Sequence, residues 1–425
     1  MSTSVVAALS SRFSAAVTGV ILGISVLGSG VNAPAQAVTT SVTCPSDPAP
    51  LTATDANKLW ALAERKLTAA ATGSTSRYPF GAREDATSYT RSSVYGWTSG
   101  FFPAELWLMA AHTSDPTWQT KARAWTKHLL ALQHYTGSHD LGFMLGLPLG
   151  LGMELDATRA PTYRRGYINA AQSLSKRWNH HVGAMKSGEY SGKWGVIIDS
   201  SMNMPLLLHA AELTQDPKLS KRLTKRALSH DNVLATHFIR VNGSTVHRGA
   251  FNPRTGRFIG AIAGQGLAPH STWARGQAWA IAGFAQAYAI THRVGQLNNA
   301  LNVAEYWIAN VPAGCVPAWD LDVTSDDAPR DASAAAIAAY GFLVLADELD
   351  ALEPASGSRY RAYALRTLGT LASSEWTTEN SSNPGILQRA TYNVPADARE
   401  GSYVWGDYYL LAAVARAQGE QVSVP

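Results

Sequence analysis

The run Trp194-Gly195-Val196-Ile197-Ile198-Asp199-Ser200-Ser201-Met202-Asn203 is apolar and strand-like, and it ends on a single acid before a helical pattern begins. A carboxylate set among Ile197, Ile198 and Met202 is poorly solvated. Burial then lifts its pKa toward the range where an acid gives and retakes a proton near neutral pH. Asp is also a common helix cap, and a helix opening at about Met202 would use Asp199 in that way. The stretch alone is open to both readings. A second isolated acid, Asp140, lies in His139-Asp140-Leu141-Gly142-Phe143, again at the mouth of an apolar, glycine-bearing segment. Two carboxylates in one cavity repel, which separates their pKa values and leaves one protonated donor beside one ionised partner. A pair of unrelated caps is the alternative.

A third group of residues suits sugar-acid binding. Gln265-Gly266 precedes Ser271-Thr272-Trp273-Ala274-Arg275-Gly276-Gln277-Ala278-Trp279. On a helix starting near Ser271, Arg275 and Trp279 share a face, with Trp273 near the mouth. A guanidinium fork matches a carboxylate and an indole face matches a pyranose, although an arbitrary Trp on a helix more often packs than binds. Trp97, in Trp97-Thr98-Ser99-Gly100-Phe101-Phe102, is a core or a site residue on the same reasoning. Asn242-Gly243-Ser244-Thr245-Val246-His247 reads as a hairpin turn into a short strand, and Asn252-Pro253-Arg254-Thr255-Gly256 as a second turn. This small β excursion would place His247 over a cavity, whereas an isolated His is more often structural. The sequence has no metal-ligand spacing, phosphate loop or Ser-His-Asp motif, and no metal or organic cofactor is expected.

The elements that must position these residues are helical. Apolar residues recur at helical spacing over 55–71, 99–112, 117–135, 144–155, 162–178, 202–213, 218–237, 273–292, 294–309, 332–352, 358–376 and 406–417. Asp115-Pro116 and Asp216-Pro217 mark two of the starts, an N-cap acceptor followed by a residue whose missing N–H costs nothing there. Trp273 to Tyr288 is apolar all round and reads as an inner helix; Lys218 to Arg226 carries a charged face and reads as an outer one. Alternating inner and outer helices with uneven loops and no fixed-period repeat predict an all-α chain folded as a closed α/α barrel with a small β excursion on its rim. Its long connectors, 73–97, 179–199, 237–271, 312–331 and 379–405, hold most of the unusual residues and should gather around a central cavity.

Residues 1–37 read as a secretory signal: Arg12, an apolar run from Phe13 to Leu27, and the small-x-small site Ala35-Gln36-Ala37. Residues 38–54, rich in Thr, Ser, Pro and Ala, read as a linker or N-terminal arm, and 55–425 as one catalytic barrel. The protein is therefore expected outside the cell, where Cys44 and Cys315, the only cysteines, are free to pair or to stay apart. A net charge of +4 among 425 residues is too small to argue for nucleic acid and is compatible with an anionic substrate.

Taken together, these segments resemble the unsaturated glucuronyl hydrolases of glycoside hydrolase family 88. The likeness also takes in Arg330-Asp331-Ala332-Ser333-Ala334-Ala335 and Trp405-Gly406-Asp407-Tyr408-Tyr409, and it covers nearly all of the chain expected to remain after signal removal. It implies an (α/α)6 barrel of six inner and six outer helices. It also implies hydration of the C4=C5 vinyl ether in the non-reducing unsaturated uronate of polysaccharide-lyase products, with Asp199 as general acid and base and Asp140 assisting. By the same resemblance His139, His247, Gln265, Trp273, Arg275 and Trp279 line the uronate site, Trp97 packs beside it, and the partner is an unsaturated uronyl oligosaccharide. No nucleic acid or membrane partner is implied after signal removal, and monomer and homodimer are both open. Two departures stand out. No Trp occurs in Met185-Lys186-Ser187-Gly188 unless Trp194 replaces it, and Pro269-His270 stands where acids are usual, which would favour sulfated substrates. The alternatives are an unsaturated rhamnogalacturonyl hydrolase acting on pectin fragments and a non-catalytic secreted glycan-binding barrel.

Overall fold

The computed structural model describes residues 42–420. The proposed signal, 1–37, lies outside the described residues. Twelve α-helices follow one another: α1 Ala53–Ala70, α2 Phe101–Thr113, α3 Pro116–Thr126, α4 Leu147–Leu155, α5 Ala160–Ser175, α6 Met204–Leu213, α7 Pro217–His237, α8 Ala274–Thr291, α9 Val294–Asn310, α10 Ala332–Asp350, α11 Pro354–Leu371 and α12 Val404–Ala417.

The even-numbered helices form the inner ring. Every residue from Ala274 to Tyr288 in α8, from Ala332 to Ala346 in α10 and from Val404 to Ala415 in α12 is buried, as all-round apolarity requires. The odd-numbered helices bury one stripe only, as in α1, where Leu59, Trp60, Ala63 and Leu67 face inward. Around the ring α2 packs on α4, α6 on α8, α8 on α10, α10 on α12, and α12 returns to α2, which closes the barrel. The Asp115 and Asp216 caps accept from the Thr117 and Lys218 N–H groups, so both expected boundaries are met.

Three stretches of the periodic reading take in turns of another helix type, and the stretch 358–376 is displaced to Pro354–Leu371. The stretch 117–135 leaves the α-helix after Thr126 and ends in a 3₁₀ turn, Leu129–His134, in which Leu129 and Leu132 are buried. A three-residue apolar spacing fits both helix types, so periodicity could not separate them. The stretch 144–155 begins as a π-turn, Gly142–Gly146, and the helix expected at about Met202 starts at Met204 after a 3₁₀ turn, Ile198–Asn203. These two turns pack against each other and join the α4 and α6 sectors of the ring.

The β excursion is present and larger than expected. Lys193–Ile197 pairs with Gly188–Tyr190 on one side and Arg248–Phe251 on the other, and Phe258–Ala261 completes four antiparallel strands. Asn242-Gly243 does turn the chain, with Gly243 at φ +86°, but only an isolated Ile239–Thr245 bridge closes it and the strand begins just past His247. A second four-stranded sheet, ordered Ala390–Asn393, Ala398–Tyr403, Arg77–Arg83, Thr90–Ser93, was not expected from the sequence. The arm is tied down: Cys44 and Cys315 form a disulfide, and Val42–Thr43 pairs with Val316–Pro317.

Candidate active site

The inner helices all start at the same end of the barrel, and the chemistry-bearing residues lie at those starts. Trp97 precedes α2, Asp140 precedes the π-turn into α4, Asp199 precedes α6, Trp273 caps α8, Asp331 caps α10, and Trp405 lies in the first turn of α12. Helix N-termini carry partial positive charge and unpaired N–H groups, so their convergence favours an anionic ligand.

Strand register sets the first pair. Ile197 pairs with Arg248, and the Ile198 N–H donates to the His247 carbonyl, so His247 lies beside Asp199. His247 Nε2 is 3.6 Å from Asp199 Oδ2. The Gln265 N–H donates to His247 Nδ1 at 2.8 Å, so the ring's proton sits on Nε2 and faces the carboxylate. Burial, reinforced by Arg248 and Arg275, holds the His247 pKa well below the ordinary imidazole value and keeps the ring neutral.

Asp199 is pushed up to about 7, first by burial and then by the negative charge of Asp140. Asp140 is likewise raised to about 7 by burial, offset by the Asn203 amide and the Arg177 charge. Asp199 thus feels the charge of Asp140, the like-charge effect that raises a carboxyl pKa. Asp140 has three supports: His139 Nε2 at 3.3 Å from Oδ2, Asn203 Nδ2 at 3.5 Å from Oδ1, and Ser138 Oγ, which accepts the Asp140 N–H. Asn203 also accepts the Gly142 N–H at 2.7 Å. A Cβ on Gly142 would come within 2.6 Å of that amide oxygen, so only glycine admits this contact. His139, with 12% of its side chain exposed, is lowered to about 3 by desolvation and then by the Arg177 charge, and stays neutral.

An unsaturated glucuronyl hydrolase from Formosa agariphila is 33% identical to this chain over 330 residues, covering 76% of this chain and 80% of its own. The chain belongs to the unsaturated glucuronyl hydrolase family. A second such hydrolase, from Bacillus sp. strain GL1, is 30% identical over 351 residues, covering 80% of this chain and 91% of its own. The crystal structure of an unsaturated glucuronyl hydrolase specific for heparin superposes with a TM-score of 0.79 at 29% identity, covering 87% of this chain and 98% of that one. No family model matches the sequence.

In this family member the fork expected at Arg275 is not open. Nη1 donates to Asp331 Oδ2 at 2.6 Å and to the Thr391 carbonyl, and Nη2 donates to Gln265 Oε1 at 2.8 Å and the Tyr392 carbonyl at 2.6 Å. Only Nε lacks a partner, and the residue is 1% exposed. A guanidinium buried that deeply must be paired, and Asp331 pairs it. Arg275 therefore fixes Gln265, whose own N–H orients His247. The indoles behind it are walled in as well. Trp273 lies between His247, with ring centroids 4.4 Å apart, and the Arg275 guanidinium, 4.4 Å from its ring. Trp279, 1% exposed, packs on Phe143 and Tyr409. Trp273 and Trp279 are thus 2% and 1% exposed, held by His247, Arg275, Phe143 and Tyr409.

Half-buried Trp97 has a different setting, 5.1 Å from Trp405 and edge-on to Phe143. Trp405, with Phe80, Tyr392 and Tyr403 around it, is an aromatic wall that spacing did not single out. Asn203 and Asp331 were also missed as site residues. Both occur within segments that carry the family resemblance, but their partners are remote in sequence. Trp194 is half-buried beside Lys186, and His270 is exposed, with its carbonyl accepting from Arg240. Among the described residues no cluster of His, Cys, Asp and Glu could hold a metal ion.

Proposed function

We propose that this chain hydrates the C4=C5 double bond of the unsaturated uronate at the non-reducing end of lyase-generated oligosaccharides, with Asp199 as the acid and Asp140 as its partner. The observation that carries this is the Asp199 carboxyl, raised to about 7 by burial and the Asp140 charge, with the neutral His247 Nε2 3.6 Å from its Oδ2. A vinyl ether needs one proton donor strong enough to reach carbon and one base to take that proton back, and a carboxyl near its midpoint can serve as both.

Asp199 donates its proton to C4. The double-bond electrons form the new C–H bond, leaving positive charge at C5 that the ring oxygen shares. Water adds to C5 and gives a proton to the Asp199 carboxylate, which restores the acid and leaves a hemiketal. The hemiketal opens by breaking the bond from C5 to the ring oxygen, giving a ketone at C5 and a hemiacetal at C1. That hemiacetal breaks down to an aldehyde and the released sugar. Only the first two steps need the protein. The negative charge on Asp140 stabilises the developing cation, and the His247 N–H stabilises Asp199 while it is ionised.

Heparin fragments, for which one structural relative is specific, are the substrates to try first, and they match the anion-favouring helix starts around the cavity. The test is loss of the enol-ether ultraviolet absorbance on incubation with unsaturated disaccharides from heparin, chondroitin, hyaluronan, gellan and xanthan, with deuterium appearing at C4 when the solvent is heavy water. No absorbance loss on any of them, or turnover of pectin-derived fragments alone, overturns the assignment. We also propose that the protein acts outside the cell, on the strength of the Ala35-Gln36-Ala37 signature and the Cys44–Cys315 disulfide, which suits an oxidising compartment. N-terminal sequencing of protein recovered from culture medium checks this; an uncleaved chain retained in the cytosol would refute it.

A further inference from the structure

Arg248 is half-buried and follows His247 in the chain, but it has no step in the hydration above. Strand pairing fixes its backbone: it lies opposite Ile197, two residues before Asp199, and its carbonyl accepts the Ile262 N–H. Its Nη1 donates to the Ala263 carbonyl at 3.2 Å. Ala263 precedes Gly264, on which a Cβ would come within 2.2 Å of His247 Nδ1. The charged end of Arg248 is thus tied to the loop that packs on the His247 ring, and its charge acts on both His247 and Asp199. The guanidinium lies over the Tyr190 ring, 4.6 Å from its centroid. That ring rests on two paired glycines. A Cβ on Gly195 would come within 2.1 Å of it, and one on Gly188 within 3.0 Å of its hydroxyl. An arginine held flat on an aromatic face keeps its N–H edge for an oxyanion. Among the described residues, Arg248 donates to the Ala263 carbonyl alone, and its enclosed Nε has no partner. By contrast Arg123 and Arg275 pair with Asp156 and Asp331, and Arg177 donates to three carbonyls, of Lys186, Thr136 and Ser187. A half-desolvated guanidinium with so few partners is costly, and an anionic ligand removes that cost.

We infer that Arg248, held on Tyr190, is a specificity-determining residue that binds a sulfate ester on the sugar being processed. This role rests on the proposed hydration, which seats the unsaturated uronate against Asp199, and it names what the substrate carries beside that ring. The uronate carboxylate itself is a poorer candidate. It is attached to C5, next to the carbon that Asp199 protonates, and so lies with Asp199 and His247, whose side chains are only 14% and 5% exposed. Arg248 instead turns to the rim, where its partner Ala263 is exposed. A sulfate ester projects outward from a ring oxygen or nitrogen, stays ionised, and offers the paired oxygens that a guanidinium fork matches. The sulfate could belong to O2 of the uronate or to the neighbouring sugar, and the substrates below separate these.

The experiment measures kcat/KM for unsaturated disaccharides that differ only in sulfation: none, at O2 of the uronate, at O6 of the second sugar, or at its nitrogen. The readout is the ratio of each sulfated substrate to the unsulfated one, so any effect of Arg248 on Asp199 or His247 cancels. Arg248→Gln should lower that ratio about tenfold for one sulfated isomer, chiefly through KM. The isomer affected identifies the sugar that carries the sulfate. Tyr190→Ala keeps the charge but removes its platform, and should lower the same ratio by about threefold. In the wild type the ratio should fall as sodium chloride is raised, and in Arg248→Gln it should be insensitive to salt. Ratios unchanged in Arg248→Gln for every isomer would overturn the inference. If that variant folds poorly, Arg248→Lys decides: loss of the fork should still lower the ratio by about threefold, and a wild-type ratio would be just as fatal. If the wild type turns over none of these disaccharides, the hydration reading fails, and calorimetric titration of the same sugars tests the anion site by itself. Tighter binding of a sulfated than an unsulfated disaccharide, lost in Arg248→Gln, supports the site, and equal binding overturns it.

Discussion

His247 Nε2 faces Asp199 Oδ2 at 3.6 Å, and the other nitrogen of the same ring is held by the Gln265 N–H. The imidazole is therefore a fixed, neutral donor aimed at the acid, able to support Asp199 once the proton has left it. His247→Ala should lower kcat by about tenfold, because it removes one preorganised donor from a site shielded from water. His247→Gln, which keeps a donor in reach, should lose less. Steady-state turnover of an unsaturated disaccharide checks both, and equal activity in all three proteins would remove His247 from the chemistry.

Asp199 is reactive in its protonated form, and its pKa lies at about 7. The rate should therefore fall as pH rises through about 7, approaching tenfold per pH unit. Asp199→Asn should show less than about a thousandth of wild-type turnover at every pH while still binding product sugars. Appreciable residual rate in that variant, measured by absorbance loss, would reassign the proton to another group.

Asp140 raises the Asp199 pKa by like-charge repulsion, so removing its charge must act in one direction. In Asp140→Asn the alkaline limb of the residual kcat/KM profile should move to lower pH. A limb that stays in place would mean that burial alone sets the Asp199 pKa.

How much of this was legible in the chain divides along the range of the interactions. The inner and outer helices could be read because their burial repeats every turn, as Leu59, Ala63 and Leu67 do in α1. Asp140 and Asp199 could be singled out because an acid inside an apolar run is a local anomaly. The π-turn at Gly142–Gly146 could not be read, since it is fixed by the Asn203 amide from another sector of the barrel. The sheet joining Arg77–Arg83 to Ala398–Tyr403 was hidden for the same reason, its partners lying near opposite ends of the described chain. The occupied fork of Arg275 is the clearest case. Spacing placed it beside two tryptophans, but Asp331, Thr391 and Tyr392, which consume its donors, come from other elements.

Because Arg275 pairs with buried Asp331 and also holds Gln265, its replacement should cost stability as well as rate. Arg275→Met leaves the Asp331 carboxylate buried and unpaired, a loss of about 3–5 kcal/mol. Arg275→Lys keeps the charge, but a single ammonium cannot reach Asp331, Gln265 and the two carbonyls at once. Thermal melts should rank wild type above Lys above Met. A Lys variant with wild-type Tm and kcat would show that the fork geometry is dispensable.

The same burial that makes Asp199 an acid makes it a liability to the fold above neutral pH. An unfolded Asp titrates at about 3.9, whereas Asp199 in the folded protein titrates at about 7. The folded state thus binds this proton more tightly. Its stabilising contribution is complete below the unfolded pKa and is lost progressively as pH rises to about 7 and beyond. Each pH unit separating the two titrations is worth roughly 1.4 kcal/mol, so the loss above pH 7 is of the order of a few kcal/mol. Asparagine has nearly the same shape and no proton to lose, and it also relieves the repulsion on Asp140. Asp199→Asn should therefore melt with the wild type at about pH 4 and several degrees above it at about pH 8. Parallel melting curves across that range would mean that Asp199 is not held protonated by its surroundings, and the acid would have to be sought elsewhere in the cavity.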